Sequence, residues 1–108
     1  MVTALDTIPA SRDVTTDSVD AWAVDFTNAI QEGESITAGA ATLVTAMPPD
    51  DGAEVAGFVV DATVSGATVV VEWSGSVLTK HSVYRLETRA TLNTGAVIEL
   101  LTTVRCIA

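Results

Sequence analysis

Few side chains in this sequence have the chemistry for catalysis, and none stands in a spacing that would activate it. There is one histidine, His81, and one cysteine, Cys106. A catalytic triad needs a nucleophile, a base and a group that orients the base. His81 follows Lys80 at the start of a strand-like run with no such partners in its sequence context, and it reads as a solvated strand-end histidine. A lone cysteine makes no intrachain disulfide, and Cys106 falls on the apolar phase of the last run, where a free thiol behaves as a small hydrophobe. The densest carboxylate group is Asp50-Asp51 with Glu54, in and just after the loop Met47-Pro48-Pro49-Asp50-Asp51-Gly52. It lacks the alternating oxygen ligands around a central Gly that a calcium loop needs, so it reads as a solvated loop tip, with weak divalent-ion binding as the alternative. With 14 acids, some pair of carboxylates lies close in any fold, so paired-acid catalysis has no specific support. The seven glycines are isolated and form no phosphate cradle. Trp22, Phe58 and Trp73 could line a pocket, yet each is in phase with aliphatic neighbours and is expected in the core. No catalytic, metal-ligating or cofactor-binding residue is assigned, no cofactor is implied, and no enzyme is expected.

Charge is more informative. Five Lys and Arg oppose 14 Asp and Glu, giving a net charge of −9 and a pI near 4.1. Such a field repels polyanions, so no nucleic-acid partner is expected. No apolar run approaches the roughly 18 residues that span a bilayer, so no membrane partner is expected either. The opening residues lack the basic end and apolar run of a signal peptide, which points to synthesis in a reducing cytosol. The charge is uneven: residues 35–75 hold five acids and no base, whereas residues 76–108 hold four bases and two acids. Arg85, Arg89 and Arg105 fall on the outward phase of the closing hairpin and define a candidate partner interface. The expected partner is an acidic surface of a neighbouring copy or of another protein, with Asp6, Asp13 and Asp17 of the acidic N-terminal stretch as the first candidate counterparts; between copies, such a head-to-tail contact can close a ring. The competing reading pairs these arginines with Glu87 and Glu99 on their own sheet, which contributes little.

The elements that must carry these residues are strands, because apolar and polar residues alternate with period two through most of the chain. Tyr84, Leu86, Ala90 and Leu92 share one face of a run over residues 82–92, and Ile98, Leu100, Val104 and Cys106 share one face of residues 96–107. Asn93-Thr94-Gly95 joins them into a long antiparallel hairpin. Phe58, Val60, Ala62 and Val64 form a second phased face, and Ser65-Gly66 turns the chain into Val69, Val71 and Trp73. Residues 35–45, with Ile36 and Val44 in phase, and residues 21–26, with Trp22, Val24 and Phe26, are further strands. Residues 27–33 support one helical turn at most. The two prolines exclude residues 47–52 from a central strand. Residues 1–20 show no sustained pattern and are expected to be an extended acidic arm, ordered by a partner, with the domain proper at residues 21–108. At 108 residues the chain supports one core, and six or seven short strands fit an antiparallel β-sandwich better than a closed barrel, a choice that periodicity does not settle.

The order of features carries a resemblance. Trp22-Ala23-Val24-Asp25-Phe26-Thr27 is followed by Ile30 and Gly33-Glu34-Ser35-Ile36, and the chain closes with Tyr84-Arg85-Leu86, Thr94-Gly95-Ala96, Glu99 and Val104. This resembles a family of small bacteriophage structural proteins, the fiber-tail adaptor or head-tail connecting proteins, over roughly residues 20–108. Many members carry a Gly-Gly pair before the last hairpin, where this chain has Ser74-Gly75-Ser76-Val77, so the loop before Tyr84 is expected to differ in shape. The resemblance implies an immunoglobulin-like sandwich that serves as a non-enzymatic virion component of the neck or tail. It implies other virion proteins as partners, several copies per particle or a homo-oligomeric ring, and a place in the virion after synthesis in the host cytoplasm. Capsid decoration or binding to a host surface by the same fold is the alternative. Tyr84 is a candidate for a tyrosine corner, with ordinary core packing as the other reading.

Overall fold

Turn residues divide the alternating pattern into strands. The computed structural model describes residues 11–47 and 52–108; Asp6, Asp50, Asp51 and the prolines of the 47–52 loop lie outside those residues. The strands are β1 (Ser11–Val14), β2 (Val19–Asp25), β3 (Ile36–Thr45), β4 (Val59–Ser65), β5 (Thr68–Ser74), β6 (Val83–Leu92) and β7 (Val97–Cys106). Two single 3-10 turns, Thr27–Ala29 and Gly75–Val77, are the only helical elements among the described residues. One sheet has the order β1-β7-β6-β3 and the other β2-β5-β4, and the two pack face to face as an immunoglobulin-like sandwich. Among the described residues every strand pairing is antiparallel except β1 with β7, which is parallel. The two expected hairpins form, and their turn glycines take the left-handed backbone that a side chain disfavours: Gly66 at φ 61° and Gly95 at φ 90°.

The core follows from the phased faces. Trp22, Val24 and Phe26 of the β2 run meet Val69, Val71 and Trp73 of β5, and across the sandwich lie Leu43, Tyr84, Leu86, Ala90, Leu92, Val104 and Cys106, all buried. The three aromatics expected in the core pack together: Trp22 and Trp73 centroids are 4.6 Å apart, and Phe58 stacks on Trp73 at 5.3 Å. Tyr84 is buried at the start of β6, and its hydroxyl accepts the N–H of Thr79, five residues upstream, at 2.8 Å. That is a tyrosine corner. Leu86, two residues on, stands where antibody domains carry the second cysteine of their inter-sheet disulfide, and it is fully buried.

Three local expectations are corrected. Residues 11–20, read as arm, belong to the sandwich: β1 adds to the edge of β7 and buries Val14, and β2 begins at Val19. Val60, expected inside, is 64% exposed because a bulge between Val59 and Asp61 shifts the phase of β4. A second irregularity, between Ile36 and Ala38, puts Val44 opposite Arg85 on the outer face while Ile36 stays inside. Val44 is nonetheless buried, for Glu54 bridges to it from the following loop.

Candidate interaction face

The outer face of the four-stranded sheet carries all three candidate arginines. Cross-strand register places Val83, Arg105 and Asp13 in one row, then Val44, Arg85, Thr103 and Ser11, then Thr42, Glu87 and Leu101, then Ala40, Arg89 and Glu99. Each arginine is engaged. Arg85 Nε lies 3.2 Å and Arg89 Nη2 3.0 Å from the two carboxylate oxygens of Glu87, and Arg89 Nε lies 3.0 Å from Glu99. Glu87 is sheltered between them, its side chain 18% exposed. Arg105 Nε donates to Asp13 at 2.9 Å.

This arrangement corrects the idea of a bare basic surface. Within one chain, Glu87, Glu99 and Asp13 balance Arg85, Arg89 and Arg105: the reading that pairs the arginines with Glu87 and Glu99 of their own sheet holds for Arg85 and Arg89, whereas Arg105 pairs with Asp13. Asp13, expected to meet a neighbouring copy, reaches Arg105 from the adjacent strand of the same chain. Asp17 is exposed in the turn between β1 and β2, with no ion pair among the described residues, and Asp6 lies outside them. The exposed pairs, Arg105–Asp13 and Arg89–Glu99, contribute roughly 0.2–1 kcal/mol each, so the face is better described by its balance of charge than by its strength. Leu101 (54% exposed) adds apolar area between the charges, and Val97 (60%) adds it beside Thr91, past the Arg89–Glu99 row. Their alternation with Ile98, Leu100 and Val104 is the sequence signal that places them outward.

The opposite outer face differs. β2, β4 and β5 present Asp25, Asp61 and Glu72 and no base. Asp25 closes the end of β2: its Oδ1 accepts both the hydroxyl and the N–H of Thr27, and these bonds hold its carboxyl below the ordinary value of 3.8. The other candidates have structural surroundings. His81 is exposed in a turn at φ 66°, where its N–H donates to Cys106 O at 2.6 Å, and Cys106 is buried. Among the described residues no three His, Cys, Asp or Glu side chains are grouped to hold a metal ion. No family model matches the chain, and no curated protein matches it.

Proposed function

We propose that the chain is a non-enzymatic structural component of a bacteriophage particle, a connector or adaptor of the neck or tail that acts through contacts with other virion proteins. The observation that carries this reading is where the residues of the resemblance sit. Asp25 and Thr27 close the end of β2, Glu34 accepts the N–H of Gln31 before β3, Tyr84 makes the corner into β6, and Gly95 turns β6 into β7. The motif thus specifies a sandwich and its turns, which is what a scaffold of contacts requires and what a catalytic motif does not. The charge-balanced outer face, with Leu101 among its ion pairs and Val97 at its end, is a surface that a neighbouring protein can cover at low electrostatic cost.

Mass spectrometry of gradient-purified particles tests the reading. A structural component is present in a fixed copy number per particle and withstands washing at high salt. Abundance in the infected-cell lysate together with absence from purified particles would overturn it.

A further inference from the structure

β1 covers only part of its neighbour. β7 runs ten residues, Val97–Cys106, and β1 pairs with the last four of them, from Thr103 to Cys106. Burial fades where that cover ends. On the inward phase of β7, Thr102, Val104 and Cys106 are buried, whereas Ile98 and Leu100 are only half-buried, although both pack against the core cluster that holds Val24 and Phe26. The sandwich is therefore open along the first part of β7, on the side where β1 stands further on.

The ladder fixes which backbone groups are left over. Cys106 N–H donates to Ser82 O on the β6 side at 3.0 Å, and Ile107 N–H donates to Val14 O on the β1 side at 2.9 Å. N–H and C=O alternate sides along a strand, so those of Val97, Glu99, Leu101 and Thr103 face the β1 side. Among the described residues no strand pairs there with Val97, Glu99 or Leu101. A row of unpaired donors and acceptors beside half-buried apolar side chains is a template for one more stretch of strand.

We propose that residues 7–10 of the same chain, which lie outside the described residues and lead directly into Ser11, continue β1 along this edge. The register of β1 carries back without a break to set Ala10 opposite Thr102, Pro9 opposite Leu101, Ile8 opposite Leu100 and Thr7 opposite Glu99. Side-chain phase agrees. Arg12 and Val14 hold the inward phase, Arg12 with its guanidinium 5.8 Å from the Trp22 ring and Val14 buried, so Ala10 and Ile8 share it and Ile8 arrives beside Leu100 and Ile98. Backbone phase agrees as well. Val14 turns its C=O to β7, which puts the backbone of Arg12, Ala10 and Ile8 on that side, and Pro9 falls where the N–H it lacks would face away from the sheet. The ring of Pro9 is then beside Leu101, which is 54% exposed. Asp6 would return to the inward phase, where an unpaired carboxylate is costly, so the pairing stops at Thr7. Attachment selects this occupant over a separate strand, because a segment tethered at Ser11 meets the edge at a high effective concentration. The extension closes the edge of β7 to strand addition by another protein, and it stands apart from the virion reading.

Amide exchange followed by NMR on the full chain, at a low and a high protein concentration, tests the pairing. The register assigns Leu101 N–H to Ile8 O, Thr103 N–H to Ala10 O, Ile8 N–H to Glu99 O and Ala10 N–H to Leu101 O. These four amides should exchange about tenfold or more slowly than those of Thr7 and Val97, to the same degree at both concentrations. Ile8→Pro removes one of the four donors and should return the Leu101 amide to fast exchange, whereas Pro9→Ala should leave it protected. Ile8→Lys, which puts a charge on the inward phase, should act as Ile8→Pro does. Protection kept by the amides between β6 and β7 shows that each variant is folded. Leu101 and Thr103 amides that exchange as fast as Val97, protection that grows with concentration as it would for a strand lent by a second copy, or Leu101 protection that survives in both folded Ile8 variants overturns the proposal.

Discussion

Single side chains close the corners of this sandwich, and their contributions are separable. Tyr84→Phe keeps the ring in the core and removes only the oxygen that accepts the partly buried N–H of Thr79. Urea denaturation should show a loss of about 1–3 kcal/mol, the cost of leaving a sheltered donor without its partner. An unchanged midpoint would mean that water replaces the hydroxyl. Asp25 should show its role through pH. Its carboxyl is held below 3.8 by the hydroxyl and N–H of Thr27, so the folded state gains from the ionised form. That gain is complete above 3.8 and disappears as pH falls through the lowered folded value. Asp25→Asn should therefore be less stable than the parent at pH 7 by a small margin, since the site is exposed, and equal to it once Asp25 is protonated in both states. At this scale the sequence was informative where a residue's role is local. Tyr84 was legible because the corner needs a tyrosine at a strand start. The Arg105–Asp13 pair was not, because the two lie 92 positions apart and only the parallel docking of β1 brings them together.

The strands were legible to within two residues wherever period two persisted, and the failures have one physical origin. A bulge adds one residue to one strand, and a pattern of period two carries no mark of that insertion. Val60 and Val44 were misassigned for this reason. β1 was missed because four residues with one buried side chain, Val14, make too short a pattern, and its partner β7 supplies the reason it is a strand at all. Gly75 shows a constraint that periodicity also hides. The turn after β5 passes so close to the β1–β2 connection that Gly75 N–H donates to Ser18 O at 2.8 Å, and a Cβ at Gly75 would lie 2.2 Å from the carbonyl oxygen of Thr15. Gly75→Ala must push one backbone segment off the other. A loss of about 2–4 kcal/mol, or failure to fold, is expected from such overpacking against main chain. Thermal unfolding of Gly75→Ala beside Gly95→Ala, where the added Cβ meets nothing within 4 Å but φ is 90°, would separate steric contact from backbone strain.

For the whole molecule the governing quantity is a charge of −9 on a small sandwich. Self-repulsion opposes the compact state, whereas the ion pairs of the arginine face lie at the surface, exposed or half-buried, and are few. Repulsion should dominate the response to salt. Raising sodium chloride from about 0.01 M to about 0.5 M is expected to raise the melting temperature, because screening at that ionic strength acts over a few ångströms. A falling midpoint would show that the ladder through Glu87 outweighs the net charge. The same balance bears on the arginines: replacing Arg85, Arg89 and Arg105 together by Glu sets new acids beside Glu87, Glu99 and Asp13. The triple variant should unfold at lower temperature than the parent.

The parallel docking of β1 on β7 also determines how the molecule bears a load. Ser11 enters β1 at one end of that ladder, and Cys106 leaves β7 at the other. A pull applied between these two points drags the strands lengthwise past each other, so the hydrogen bonds of the ladder are strained together in shear. An antiparallel pair gripped at adjacent ends would instead be peeled open one bond at a time. Stretched through its first and last strands, the domain should extend little before it yields abruptly, with β1 as the clasp that gives way first.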